Sequence, residues 1–297
     1  MSEPNWEEVF DEPVLTAERL GGGFANDVWS VRTDAGEFVV KITRNPPRPN
    51  RPFWDGLEML FGLNTHENMR RLPGLADLMR DLSPLSVPRI VHVDRRGREI
   101  SEPFIVAERL PGDPLTLDGE NRENLARELG QHVGALHRKA FSDWGRFGEA
   151  RYEAAEWPPR LAATLEFMVD KWYEDDAGVR TTLDSFLEQA RALDAPSEFC
   201  LILPDFRLAQ FLQRDGHVSA VVDVESYVIG PPALDLIVLE HSLPADLAPA
   251  FSEGYEEHSS LPRLALVRSL YRYLYCLVQA LGEYDFEEWM NRPAIFE

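Results

Sequence analysis

The sequence predicts a two-lobed α+β fold: an N-terminal antiparallel sheet with a helix, then a larger, mainly helical C-terminal lobe. Three observations predict it. Before residue 110, apolar residues alternate in short runs bounded by turn residues. In 37–43, Phe38, Val40 and Ile42 fall on one side, and Val39, Lys41 and Thr43 on the other. Beyond residue 120 the apolar positions recur at helical spacing, as in Leu125, Leu129, Val133 and Leu136. Between the two textures stands Pro111-Gly112-Asp113-Pro114, a cluster of breakers. The chain is therefore divided into an N-terminal lobe, residues 1–110, and a mainly helical C-terminal lobe, residues 111–297.

The N-terminal elements follow in order. Residues 1–13 read as a polar lead-in, a loose strap. A first strand covers 14–20, and Gly21-Gly22-Gly23-Phe24-Ala25-Asn26-Asp27 follows it. Glycines there allow backbone N–H groups to approach a ligand closely. A second strand covers 28–32, a turn 34–36, and a third strand 37–43, with Lys41 on the side away from Val40. A glycine loop between strands one and two, with a lysine on strand three, is how kinases hold nucleotide phosphates. No helix follows the glycines, which excludes the Walker and Rossmann patterns. Three glycines alone are equally a hairpin turn; Lys41 at this spacing adds the chemical meaning. Residues 45–52 form a Pro- and Arg-rich loop. Helical pieces cover 53–82, broken at Pro73-Gly74, and they carry Glu58 and Glu67, the carboxylates available to pair with Lys41. Each of these two, taken singly, also reads as a solvated helix residue. Two further strands cover 89–93 and 103–110.

In the C-terminal part, helices are expected over 121–140, 157–175, 181–193, 246–257 and 261–281. The chemistry gathers at 198–240. The apolar run 200–203 leads into Asp205, and Gln210 comes five residues later. Asp215-Gly216 is a two-residue hairpin signal. The return strand, 218–224, delivers Asp223, with Glu225 close behind. Folding back brings Asp205 and Asp223 to one site. One carboxylate orients an acceptor hydroxyl, and a carboxylate with an amide oxygen holds Mg²⁺, as phosphoryl transfer requires. Aspartates at hairpin edges also serve as plain turn residues.

Composition narrows the classes. The chain has 297 residues, 44% hydrophobic and 27% charged, an ordinary globular balance with room for one large or two medium domains. No apolar run approaches the ~20 residues of a membrane span. The acidic first 13 residues lack the apolar core of a signal peptide, so the cytoplasm is the expected compartment. Cys200 and Cys276 sit in apolar runs and make no disulfide framework, and His132 and His137 are not at the spacing of a zinc pair. A net charge of −21 argues against nucleic acid and anionic membranes as partners. Residues 1–115 carry 14 Lys and Arg against 19 Asp and Glu; residues 116–297 carry 16 against 32. An acidic C-terminal lobe suits a cationic small substrate, and equally plain solubility. Only three of the 30 basic residues are lysines: Lys41, Lys139 and Lys171. A lysine kept in so arginine-rich a chain marks a place for a compact ammonium.

The order of these motifs resembles the aminoglycoside phosphotransferase and choline kinase group, small-molecule relatives of protein kinases, over roughly Leu20 to Leu281. The resemblance implies a kinase-like fold, ATP or GTP with Mg²⁺ as cofactors, and a small-molecule acceptor. It assigns Gly21, Gly22, Gly23 and Asn26 to the nucleotide loop and Lys41 to the phosphates. Phe104 to Gly112 is similar to the hinge that holds the base through backbone groups, at Ala107 and Arg109. Leu129-Gly130 through Leu136-His137 is similar to a helix of the family. Asp205 falls at the catalytic aspartate and Asp223 at the metal aspartate. Asp235, in the segment 230–236, takes a structural role. The family's His-Gly-Asp, with Asn five residues on, reads Leu203-Pro204-Asp205 here, with Gln210. Proline removes an N–H, and glutamine adds a methylene between backbone and metal. Arg207, two residues after Asp205, takes the offset at which protein kinases place a lysine near the γ-phosphate. Two readings follow: an ATP-dependent kinase of a hydroxyl on a small, cationic molecule, or a catalytically impaired relative that binds a nucleotide, a metabolite or a partner protein.

Overall fold

Period-two alternation in the N-terminal part produces a five-stranded antiparallel sheet in the order β1-β2-β3-β5-β4. The strands are β1 (Val14–Gly22), β2 (Asn26–Thr33), β3 (Gly36–Thr43), β4 (Ile90–Asp94) and β5 (Phe104–Glu108). The structure is a computed structural model and describes residues 4–22, 26–43, 52–63, 69–94, 100, 102–148 and 151–297. One face of the sheet closes a small core of Val31, Val40, Ile42, Phe104 and Val106. Trp6 completes it. Residues 1–13 were expected as a loose strap, but Trp6–Phe10 is a short helix, α1, docked on that face. Trp6 and Phe10 are four apart, so one helical face carries both rings. They meet Trp29 at 5.2 Å and Phe38 at 5.3 Å. The opposite face carries Val28, Ser30, Val39, Lys41, Ile105 and Ala107 by strand register. Ile105 belongs to the larger core, so this face looks toward the rest of the molecule.

Helices α2 (Pro52–Phe61) and α3 (Leu72–Leu82) bury Leu57, Leu60, Phe61, Leu75 and Met79 in that larger core rather than against the sheet. Pro73 does not break a helix here. It sits in the first turn of α3, where its missing N–H has no intrahelical partner to lose.

The larger core gathers α4 (Arg122–His137), α5 (Trp157–Trp172), α6 (Ala177–Ala192), α7 (Pro232–Ser242), α8 (Ala248–Glu256), α9 (Arg268–Leu277) and α10 (Phe286–Met290). The run 261–281, expected as one helix, keeps α-helical geometry only over Arg268–Leu277, after a 3-10 turn at Leu264–Leu266. Helices α4 and α8 pack at close range. A Cβ on Gly130 or Gly134 would collide with the carbonyl oxygens of Phe251 and Tyr255, and one on Gly254 with that of Arg127. No helix among the described residues is long and apolar enough to cross a membrane.

Two small sheets complete the fold. Strand β7 (Cys200–Ile202) pairs with β10 (Val228–Gly230), and β6 (Asp113–Pro114) pairs with β8 (Phe211–Arg214), which pairs with β9 (His217–Val221). The breaker cluster thus ends as a strand on the β8–β9 hairpin. Ser86 also joins the hairpin, donating to Ser219 O at 3.1 Å and accepting from Val221 N at 3.0 Å.

The C-terminal tail is locked down by charge. Glu240 on α7 is fully enclosed and accepts from Arg272 at 2.7 Å and Arg268 at 3.2 Å. It also accepts from the backbone N–H groups of Ile295 at 3.2 Å and Phe296 at 3.4 Å. Phe296 packs on Phe251 at 5.3 Å, and His241 stacks on Trp289 at 3.6 Å.

Candidate functional site

The site lies where the cleft face of the first sheet meets the β8–β9 hairpin. Asp215 and Gly216 turn that hairpin with φ of 52° and 78°, the paired positive angles of a type I′ turn. Val222 N donates to Gln210 O at 2.9 Å, so the chain just past β9 lies beside the catalytic-loop end of β8. Asp205 and Asp223, 18 positions apart, are thereby brought together.

The loop before β8 is fixed from below. Leu203 N donates to Asp235 Oδ1 at 2.5 Å, and Asp235 Oδ2 lies 3.1 Å from His137 Nε2. His137 Nδ1 in turn meets the Tyr255 hydroxyl at 2.9 Å. Burial pushes the Asp235 carboxyl above its ordinary range, against the pull of His137 and the Leu203 N–H. This chain gives Asp235 the structural role expected of it and explains Leu203. The main-chain N–H does the organising, so the side chain can be apolar. A second buried chain runs beside it: His132 joins the Ser83 hydroxyl at 2.8 Å and the Tyr227 hydroxyl at 3.2 Å. Burial pushes this imidazole down to about 3, so it stays neutral.

Burial, then the charge on Asp223, raise the Asp205 carboxyl to about 6, while Gln210 and Arg207 pull it down. One of its oxygens, Oδ1, is buried with no hydrogen-bond partner among the described residues. A carboxylate whose proton affinity is raised in this way can accept a proton from a hydroxyl placed against it.

Lys41 reaches the same place from β3. Its ammonium lies 2.9 Å from Asp223 Oδ1, 2.6 Å from Glu225 Oε1 and 3.4 Å from Val222 O. Burial works against its charge, and the two carboxylates overcome that and hold it above the usual lysine range. Packing on its inner side disfavours charge on Asp223, although half of the side chain stays exposed, but Lys41 outweighs this and holds that carboxyl well below the usual range. Glu225 goes the other way: burial and the neighbouring Asp223 push it up, despite Lys41.

The expected partners of Lys41 were Glu58 and Glu67. Glu58 is exposed on α2, and Glu67 lies outside the described residues. Among the described residues the carboxylates on Lys41 are Asp223 and Glu225. The sequence offered a hint, since residues i and i+2 of an extended chain share a side.

The remaining candidates divide. Gly21 and Gly22 end β1, opposite Val28 and Asp27, and Asn26 opens β2 opposite Thr43. Gly23 lies outside the described residues. An ion pair between Arg19 and Asp27 ties the two strands just before the loop. Ala107 pairs with Val39 and Ile90 on the cleft side of the sheet. The backbone donor expected of Arg109 is already used: its N–H goes to Glu37 O at 3.0 Å. Its guanidinium donates to Ser30 Oγ at 2.8 Å. Arg207 is exposed and donates to Ala280 O at 3.0 Å, just past α9, while its charge still acts on Asp205. Gln210 is buried, and its Oε1 accepts from Arg207 N at 2.8 Å, leaving one lone pair.

Asp205, Asp223 and Gln210 present oxygen donors, the set that suits Mg²⁺. The charge on Asp223 raises the proton affinity of Asp205, and negative charge remains at the pair for a cation to neutralise. No group of three or more His, Cys, Asp or Glu side chains forms a ready metal cage among the described residues.

Beyond the loop, a cavity of about 660 Å³ opens between α6, the end of α9 and α10. Tyr173, Asp176, Gln279, Glu283 and Asp285 line it. Gln279 is next to Ala280, the residue that Arg207 holds.

Known structures share this architecture. The apoenzyme of macrolide 2'-phosphotransferase MphH from Brachybacterium faecium is 20% identical, with a TM-score of 0.55, and 94% of this chain and 93% of that one are covered. A thermostable mutant of aminoglycoside phosphotransferase APH(4)-Ia, in ternary complex with AMP-PNP and hygromycin B, is 19% identical, with a TM-score of 0.63, and 95% and 92% are covered. A putative fructosamine-3-kinase from Haemophilus somnus 129PT is 13% identical, with a TM-score of 0.60, and 94% and 90% are covered. At these identities the likeness establishes the fold, a two-lobed kinase-like one. No curated protein matches the sequence. The phosphotransferase enzyme family (APH) matches residues 16–270, most of the chain, with Lys41, Asp205, Gln210, Asp223 and Glu225 inside the match, and the protein belongs to that family.

Proposed function

We propose that the protein transfers the γ-phosphoryl group of ATP or GTP to a hydroxyl of a small, cationic molecule. The observation that carries this reading is the meeting of Lys41 with Asp223, 2.9 Å apart across 182 positions, beside Asp205, whose proton affinity is raised. Asp205 orients the acceptor hydroxyl and takes its proton. Lys41 neutralises the phosphates, and the end of the β1–β2 hairpin covers them. Val28, Val39, Ile105 and Ala107 give the base an apolar platform on the cleft face. Asp223, with the remaining lone pair of Gln210, would hold Mg²⁺, which supplies charge neutralisation on the β- and γ-phosphates. Work of this kind is mostly positioning, so the altered loop matters less than the placement of the groups. The acidic cavity near Ala280 supports an acceptor carrying amines. The N-terminal part, residues 1–110, would supply most nucleotide contacts, and residues 111–297 the catalytic loop and acceptor site.

The engagement of Gln210 Oε1 by Arg207 N–H is what favours the alternative, binding without turnover. Calorimetric titration with ATP and GTP, with and without Mg²⁺, separates the two. Binding that strengthens with Mg²⁺, followed by phosphate transfer to amino alcohols or aminoglycosides, is the expected result. Binding of neither nucleotide up to millimolar concentration would overturn the proposal.

A further inference from the structure

We propose that Glu225 is the positioning residue of Lys41, keeping its ammonium aimed at the nucleotide phosphates when Asp223 turns to the metal. The inference rests on the phosphotransfer reading above and adds a role that reading leaves empty. Lys41 has two carboxylate partners, and they are not alike. The Asp223 side chain is 53% exposed and has an open side to offer a hydrated cation. The Glu225 side chain is 14% exposed, enclosed much as Lys41 is at 13%, and stands closer to it, at 2.6 Å against 2.9 Å.

An ammonium cannot depend on a metal ligand alone. Once a divalent cation shares the Asp223 carboxylate, that carboxylate attracts Lys41 less, and two cations then face one another. A second carboxylate that the metal does not take is needed to keep Lys41 charged and in place. Glu225 meets that need from the same short segment, two residues along. Glu58, on α2, is exposed. Lysine holder and metal ligand therefore ride on one hairpin end, and the distance between them does not depend on the placement of a helix in the N-terminal part.

The test uses the scarcity of lysine. Lys41, Lys139 and Lys171 are the only lysines, so amine acylation read by mass spectrometry reports Lys41 against two internal standards. In Glu225→Gln, acylation of Lys41 is expected to rise about threefold or more over the other two, with the melting temperature held within a few degrees. Glu225→Asp should restore part of the protection. Nucleotide affinity in EDTA should fall about tenfold in Glu225→Gln, the scale of one charge-assisted contact, while the gain on adding Mg²⁺ is kept. Asp223→Asn should do the reverse, losing the Mg²⁺ gain.

Unchanged Lys41 acylation in Glu225→Gln overturns the proposal. So does loss of the Mg²⁺ gain with EDTA affinity intact, which would make Glu225 a metal ligand, and so does protection that depends on Glu67 instead. If wild type binds no nucleotide while Glu225 still governs Lys41 acylation, the phosphotransfer reading fails and takes the phosphate role with it, leaving the ion pair alone.

Discussion

At the scale of single residues, the site works by setting carboxylates of one kind to different tasks. Asp223 is held charged by an ammonium, and Asp205 is kept near the point where it exchanges a proton. The free protein should therefore gain kcat/KM as pH rises through about 6, where Asp205 ionises. Asp205→Asn is expected to remove that limb and lower kcat about 10²–10⁴-fold. The same shift has a stability side. A folded-state pKa of about 6 lies above the ordinary 3.8, so the group stabilises the fold at pH below that ordinary value. That contribution is lost as pH rises through about 6. At pH 8 Asp205→Asn should therefore melt no lower than wild type, whereas a residue that merely supported the loop would melt lower when changed. Asp205, Asp223 and Lys41 were legible in the sequence because each sits at a turn or strand position with a recognisable spacing. The partner of Lys41 was not. Glu225 lies 184 positions away, and its spacing from Asp223 is the one local hint that it shares the site.

At the scale of elements, the strands and the amphipathic helices were readable, and the exceptions share a cause. Helix α7 went unread because Leu236, Ile237, Val238 and Leu239 are all buried, so no polar face marks a period. The run 261–281 read as one helix because its apolar residues continue past the real ends. The lead-in was read as a strap because α1, five residues long, gives too short a window for periodicity. Helix α4 shows an element constraint at a single residue. Gly130 faces the α8 backbone so closely that a methyl group cannot fit without separating the helices. Gly130→Ala is expected to destabilise by about 1–3 kcal/mol or more, read by urea denaturation. An alanine at Gly119, with nothing within 4 Å of its Cβ position, makes a poor control because its φ is +85°. Gly74 is the better one, since its nearest neighbour would be 3.7 Å away.

At the scale of the whole molecule, charge is distributed so that the C-terminal part carries most of the excess of Asp and Glu. The field falls off over about 10 Å at 0.1 M salt, so it acts on approach and on loosely held amines. For a cationic acceptor, KM is expected to rise several-fold between 20 and 300 mM NaCl, and for an uncharged one to stay flat. Equal salt dependence for both would remove the electrostatic account of acceptor choice. The kinase-like plan, an antiparallel sheet followed by helices, was visible in the change from strand to helix periodicity along the chain. The packing that joins the parts was not, because α2 and α3 look like ordinary amphipathic helices and nothing in their pattern names the core they enter.

The Glu240 clamp has a consequence for synthesis. Two guanidinium groups and the N–H groups of Ile295 and Phe296 converge on one enclosed carboxylate, and the last of these partners leaves the ribosome more than 50 residues after Glu240 itself. Until then the nascent chain holds Glu240 with part of its ligation missing and Phe251 without Phe296. A message cut short before residue 286 thus yields a product with an open seam at α7, even though Lys41, Asp205 and Asp223 are all present. Such a product is expected to be cut faster by protease than a chain that extends through residue 296.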